Sequence, residues 1–281
     1  MNSPLMPWVK SGLIAVLGVL ALAGEARAWG DTGHQVICEL TIRLVAPATR
    51  SQMEELIRLD GEFSSFVEAC SWADHPRKRG PEHFVNLPRD ATGLTGATCG
   101  EARECVVSAI NKDSEILASK QADAKSRAVA LKFLGHWTGD VHQPLHVSFA
   151  DDRGGNDIRV NGDCSANLHA AWDSCLVQKA VGDNVDAAVR DLLGSLTSSQ
   201  HSQWAAGTAT DWANETFALA VRPETQYCSR QGLTCIRPVG SVRIDQAYLA
   251  VNVPVVRQQL LKAAVRLAAQ LDRAFIRYSA R

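Results

Sequence analysis

No block of basic residues occurs anywhere in this 281-residue chain, whose formal charge at pH 7 is −1. A positive patch that grips duplex nucleic acid is therefore not what organises it. None of the eight cysteines forms a C-x-x-C pair, which excludes the usual structural zinc modules. The all-oxygen pattern of a calcium loop is also missing. No linker, low-complexity stretch or internal repeat divides the sequence, so a single large domain is the economical reading. The apolar run from Leu13 to Ala23 is shorter than the roughly 20 residues that a membrane-spanning helix needs.

That short run has another use. Lys10 precedes it and Ala26-Arg27-Ala28 follows it, the pattern of a cleavable secretory signal. Residues 1–28 are read as a signal peptide and 29–281 as one mature domain, exported to the periplasm or secreted, with no membrane anchor after cleavage. The leader carries Lys10, Arg27 and Glu25, so its loss takes the formal charge to about −2. All eight cysteines lie in the mature part, and an even number in an exported chain points to disulfides. Eight cysteines allow 105 pairings. Short spacing favours Cys164 with Cys175, and Cys38 with Cys70 is the next pairing expected.

Apolar residues recur every three or four positions in 34–46, 101–120, 125–141, 184–194, 203–221 and 245–278, which predicts a mainly α protein. Strand signals are few. Asp151 to Asn156 reads as a turn-rich loop, and Asp157 to Gly162 as one arm of a short β-hairpin. The arginines of the last helix read as a solvated face. Asn214-Glu215-Thr216 matches a glycosylation sequon, a pattern used only in eukaryotic secretion.

Chemistry concentrates in the middle of the chain. His136, His142, His146 and His169 fall close together with Asp140 and Asp173. Side chains at i and i+4 share a helix face, so His136 can point with Asp140, and His169 with Asp173. Each pair can hold one ion, and nitrogen with carboxylate oxygen suits zinc. One such pair is commonly a buried, hydrogen-bonded histidine beside a surface aspartate. Two pairs with His146 between them favour metal.

Phe133-Leu-Gly-His136-Trp-Thr-Gly-Asp140-Val-His142-Gln-Pro-Leu-His146 resembles the signature of the zinc-dependent single-strand nucleases. Their members include mung bean nuclease and the S1- and P1-type fungal enzymes, which share a fold with bacterial zinc phospholipase C. The resemblance continues in Trp29-Gly30 with His34, Trp72-Ala73-Asp74 with Arg77, His83-Phe84, Gly154-Gly155-Asn156 and Asn167-Leu168-His169-Ala-Ala-Trp172-Asp173. Beyond residue 173 the likeness is only that of helices.

The resemblance implies three zinc ions and a mature protein beginning at Trp29. The Trp29 amine and carbonyl would hold one ion with His34 and Asp140. Asp74, His83 and His136 would hold the next, with Asp140 shared, and His146, His169 and Asp173 the third. His142 has no ligand role, which leaves it a hydrogen bond behind the ligands or plain packing. His75 and His201 are expected to be bystanders. Asp74 would orient the attacking water, and Arg77, read as one helical turn away, would neutralise phosphate charge. Phe84 would stack on an unpaired base, with Asn86 and Asn156 as further substrate contacts. Asn86 departs from the aspartate common in the family, which leaves base preference open. The implied substrates are single-stranded DNA and RNA, cut to 5′-phosphate products, and 3′-nucleotides. No obligate protein partner is indicated. The rival readings are a zinc phospholipase C and a non-catalytic periplasmic zinc-binding protein.

Overall fold

Asp123 opens the helix around which the molecule is built. Its carboxylate accepts the backbone N–H of Ser126 at 2.7 Å, satisfying a donor that the first turn leaves free. The computed structural model describes residues 29–96, 99–100 and 102–279, so the expected leader lies outside the described residues. The helix so capped, Ala124–Asp140, is buried continuously from Ala130 to Asp140. A helix enclosed on every side displays no polar face.

In chain order the helices are α1 (Gly30–Leu44), α2 (Pro47–Asp60), α3 (Phe66–Ala69), α4 (Val106–Ala118), α5 (Ala124–Asp140), α6 (Leu168–Ala170), α7 (Leu176–Val181), α8 (Val185–Ser195), α9 (Ser198–Trp204), α10 (Ala209–Ala220) and α11 (Gln246–Ser279). α1, α2, α4 and α11 surround α5. Two glycines on α5 allow the close approach of its neighbours. A Cβ at Gly135 would stand 2.9 Å from the Phe66 ring and 3.0 Å from Cys70 Sγ, and one at Gly139 would stand 2.8 Å from the His34 ring.

Among the described residues six short strands fasten loops to this helical body: β1 (Val85–Leu87), β2 (Val147–Phe149), β3 (Val160–Gly162), β4 (Ser229–Gln231), β5 (Thr234–Ile236) and β6 (Val242–Ile244). β1 and β2 pair in parallel with Val85 opposite Val147. They begin just after Phe84 and His146, so their ladder ties two candidate ligand turns together.

The mainly helical expectation holds, with differences that have physical reasons. α2 was not foreseen because its apolar residues, Met53, Leu56 and Ile57, crowd into one half of a polar helix. β3 exists, but its ladder partner is the distant β6, in parallel. Only an isolated bridge from Arg159 to Asn167 closes the local loop, and the antiparallel hairpin is β4–β5. Asp74 and Arg77 face each other across a tight β-bridge rather than along a helix. On α11, Arg266 is not solvated: it is 3% exposed and bonds His142, Glu215 and the Trp204 carbonyl.

Both expected disulfides are present, with Cys99–Cys105 and Cys228–Cys235 completing four. Four bridges are the mark of an oxidising compartment. The Asn214 side chain is occupied by both backbone groups of Leu94, and Thr216 is fully buried. The sequon is thus part of the packing. No helix among the described residues is long and apolar enough to cross a membrane.

Gly135→Ala should destabilise the protein by roughly 1–3 kcal/mol through overpacking, although alanine favours a helix by about 1 kcal/mol. Cys70 is fixed to Cys38 and cannot retreat. Thermal unfolding tests this: an unchanged or raised melting temperature would show that the α3–α5 contact is looser than its geometry.

Candidate metal centre

The C-terminal half of α5 delivers His136 and Asp140 on one face, one turn apart. α1 brings His34 across Gly139, with His34 Nε2 3.3 Å from Asp140 Oδ1. The turn after α3 brings Asp74, and the 3₁₀ turn Gly80–His83 brings His83. Another 3₁₀ turn, Pro144–His146, supplies His146. His169 sits on α6 and Asp173 on the π-helical turn Ala171–Cys175 that follows it. Wide turns of this kind recur at functional sites. His169 Nε2 and Asp173 Oδ2 are still only 3.4 Å apart.

Three groups result, each with ligand atoms within 4.8 Å of one another: His34, His136 and Asp140; Asp74, His83 and His136; His146, His169 and Asp173. Every member is buried. The tautomers decide what these groups can hold. His136 Nδ1 lies 2.8 Å from the Cys70 carbonyl, and His83 Nε2 lies 2.9 Å from that of Lys78. A carbonyl can only accept, so each of these nitrogens carries the proton and donates. The other two, His136 Nε2 and His83 Nδ1, then bring bare lone pairs to within 3.2 Å of each other. The second group repeats the pattern. His146 Nδ1 donates to the His83 carbonyl and His169 Nδ1 to that of Gly154, both at 2.6 Å. Their Nε2 atoms face each other at 3.1 Å.

Two lone pairs so placed repel unless a cation lies between them. Two nitrogens bound to one tetrahedral zinc at about 2.0–2.1 Å would stand about 3.3 Å apart. Backbone acceptors behind metal-binding imidazoles are likewise the usual arrangement. The carboxylates agree: Asp74 Oδ2, both Asp140 oxygens and Asp173 Oδ2 are buried without a hydrogen-bond donor, as are both His34 nitrogens. Donor chemistry, spacing and unsatisfied atoms all fit a multi-cation centre.

Burial sets the protonation of several of these groups. It holds His136 well below the ordinary imidazole range, against the pull of Asp140. It lowers His146 to about 3 and His169 to about 4. Asp173 is pushed well above the usual carboxylate range, first by burial and then by Asp140 and Asp74. Asp140 runs the other way: burial opposes its charge, but His136, His34 and His83 together keep it ionised.

Trp29 is fully buried, with its indole N–H on the Gly139 carbonyl at 2.8 Å. Its backbone N–H donates to Asp173, so the nitrogen that cleavage would free already lies against the centre. Arg77 is half-buried, 6.0 Å from the Phe84 ring, and its charge acts on Asp74, His146 and His169 alike. Phe84 and Asn86 are both half-buried. Asn156 bonds the Arg153 carbonyl through its amide at 2.8 Å.

His142 stands apart from the three groups. It bonds the Thr138 carbonyl and Arg266, bracing α5 against α11. His75 joins Asp31 at 2.7 Å, linking the start of α1 to the Asp74 turn. Sequence reasoning missed Gln143, which donates to Asp173 at 2.6 Å. It also missed Asp113, which accepts from Trp137 and Arg79 behind His83. Gln143 lies inside the quoted motif, whereas nothing local marks Asp113.

Metal-free protein should lose stability as pH falls. The unfolded imidazoles titrate near 6.5 and take up protons that the buried ones refuse. Each therefore contributes stability present above 6.5 and lost on descent toward about 4 for His169 and about 3 for His146. The slope is up to about 1.4 kcal/mol per pH unit per group. Asp173, Asp74 and Asp113, all raised by burial, act in the opposite sense, but His136, His142, His146 and His169 outnumber them. Urea unfolding of chelated protein between pH 6.5 and 4.5 should show stability falling as pH falls; a flat profile would contradict neutral, buried imidazoles.

The sequence matches the profile of the S1/P1 Nuclease family over residues 29–276. It is 30% identical to Endonuclease 2 of Arabidopsis thaliana, over 94% of this chain and 96% of the relative. It is also 30% identical to Nuclease S1 of Aspergillus oryzae, over 90% and 94%, and 26% identical to Nuclease P1 of Penicillium citrinum, over 85% and 95%. With the centre just described, these likenesses make the chain a hydrolytic nuclease of the S1/P1 nuclease family.

Proposed function

We propose that the protein is exported, loses residues 1–28, and as the single domain 29–281, with three zinc ions, hydrolyses single-stranded DNA and RNA to products bearing a 5′-phosphate, and 3′-nucleotides to nucleoside and phosphate. The observation that carries this reading is the pair of facing lone pairs at His83–His136 and at His146–His169. Three ligand sets are assigned. The Trp29 amine and carbonyl with His34 and Asp140 form the first, Asp74, His83, His136 and the shared Asp140 the second, and His146, His169 and Asp173 the third. Bound there, zinc supplies a water of lowered pKa for in-line attack and neutralises phosphate charge.

The chain's own residues do the rest. Asp74 has one oxygen without a donor, free to accept a proton from the attacking water and orient it. Arg77 places positive charge where phosphate oxygens gain negative charge. Its nearness to Phe84 sets a phosphate contact beside a base-stacking surface. A duplex hides its bases from that surface, so unpaired strands are favoured. Asn86 can donate as well as accept, which suits tolerance of several base edges. An α-amino group at Trp29 has an ordinary pKa of about 7.7–8.0, so a dication displaces its proton at modest cost.

Untagged, exported protein should release acid-soluble nucleotide from single-stranded DNA, lose that activity to a chelator and regain it with zinc. Faster turnover of phosphatidylcholine would sink the choice of substrate. Asp74→Asn, assayed at free zinc high enough to fill the weakened second set, should lose roughly 10²–10⁴-fold in kcat; full activity with zinc bound would remove Asp74 from its role. A tag left upstream of Trp29 should lower zinc content.

A further inference from the structure

Asp152 is a carboxylate with no solvent exposure, and the proposed chemistry does not use it. It is fully partnered. Arg89 Nη2 bonds its Oδ2, while its Oδ1 accepts from the Tyr227 hydroxyl at 2.7 Å and from the Gly155 backbone N–H at 2.9 Å. The Asp152 carbonyl accepts the N–H of Asp157 at 3.2 Å. A buried carboxylate with every partner in place rigidifies the segments that it joins.

What it fixes is the Gly154–Gly155 turn. Both glycines have positive φ, 66° and 81°, and a Cβ at Gly154 would stand 2.5 Å from the Leu145 carbonyl. No other residue fits at Gly154, yet glycine alone does not hold such a conformation against its own freedom. The Gly155 N–H on Asp152 supplies the restraint. The same turn aims the Gly154 carbonyl at His169 Nδ1, 2.6 Å away. That bond sets the proton on Nδ1 and turns Nε2 toward His146.

The restraint reaches well beyond the ligand-bearing segment. Tyr227 also accepts the Phe149 N–H at 3.2 Å, and it immediately precedes the Cys228–Cys235 bridge of the β4–β5 hairpin. Arg89 receives the Cys235 N–H on its carbonyl at 2.8 Å and lies 4.4 Å from the Phe149 ring centroid. The loop after β1 and the hairpin thus converge on one carboxylate.

We propose that Asp152, held by Arg89 and Tyr227, is the positioning residue of the His146–His169–Asp173 cation site, fixing the Gly154 carbonyl that orients His169. This rests on the reading that those three residues hold a zinc ion. Loss of a group supporting a metal ligand typically costs 10–100-fold in metal affinity.

The test is zinc per chain, by elemental analysis, on the mature protein equilibrated against a series of buffered free zinc concentrations. Wild type should bind three ions and His169→Ala two. Asp152→Asn should bind two as wild type does and the third about 10–100-fold more weakly, with activity restored at raised free zinc. Tyr227→Phe should weaken the same ion by less, and carries the test if Asp152→Asn does not fold. Fewer than three ions in wild type, or none lost in His169→Ala, would overturn the three-ion reading itself. Three ions at wild-type affinity in both Asp152→Asn and Tyr227→Phe, with His169→Ala at two, would overturn the role of Asp152 alone. Equal weakening of all three ions would also overturn it, since that is what a merely structural residue gives.

Discussion

Asp140 carries negative charge at the centre of the protein without a well-formed hydrogen bond to either oxygen. Three imidazoles approach it, His83 at 3.1 Å, His34 at 3.3 Å and His136 at 3.5 Å. Left as it stands, such a group would be among the costliest features a fold can contain, since an unpaired buried charge loses its hydration and gains nothing in return. Cations held between it and its neighbours would turn that cost into binding energy. Much of the fold follows from assembling these residues in one place. α5 must be enclosed to keep Asp140 dry, Gly139 must lack a side chain so that His34 can pass, and the His83 and His146 turns must be tied together by β1 and β2.

The candidate ligands come from six separate parts of the chain, most of them on turns rather than long helices. Turns are mobile unless something holds them. Here each is held from behind by a backbone carbonyl, a disulfide or a buried ion pair. Cys38–Cys70 fixes the segment whose carbonyl receives His136. Arg79 bonds Asp113 and stacks 4.4 Å from Phe133, closing the turn that carries His83. The disulfides and buried charges are therefore concentrated where precision is needed, while the apolar core supplies the bulk of the burial.

Among the described residues the C-terminal third supplies none of the candidate ligands, yet the centre leans on it. Arg266 on α11 meets His142 just past the end of α5, Gln259 holds the His142 carbonyl, and Tyr227 reaches Asp152. Contacts of this type leave no motif. An arginine on an amphipathic helix looks solvated whether it faces water or a buried histidine, which is why Arg266 was misplaced from sequence.

The sequence by itself determined the helical class, the spacing of His136 with Asp140 and of His169 with Asp173, and the resemblance that ordered the remaining ligand residues, because these depend on neighbours three or four positions apart or on short contiguous motifs. The Cys164–Cys175 pairing was legible for the same reason. Tertiary structure alone decided that β3 pairs with β6, that Arg77 faces Asp74 across a bridge, that Asn214 holds Leu94, and that Asp152 supports the turn behind His169. Each of these joins residues whose partners the intervening chain does not announce. Local pattern records which face a side chain shares with its neighbours, whereas the carbonyl, charge or strand that it finally meets is fixed only when the packed core brings distant segments together.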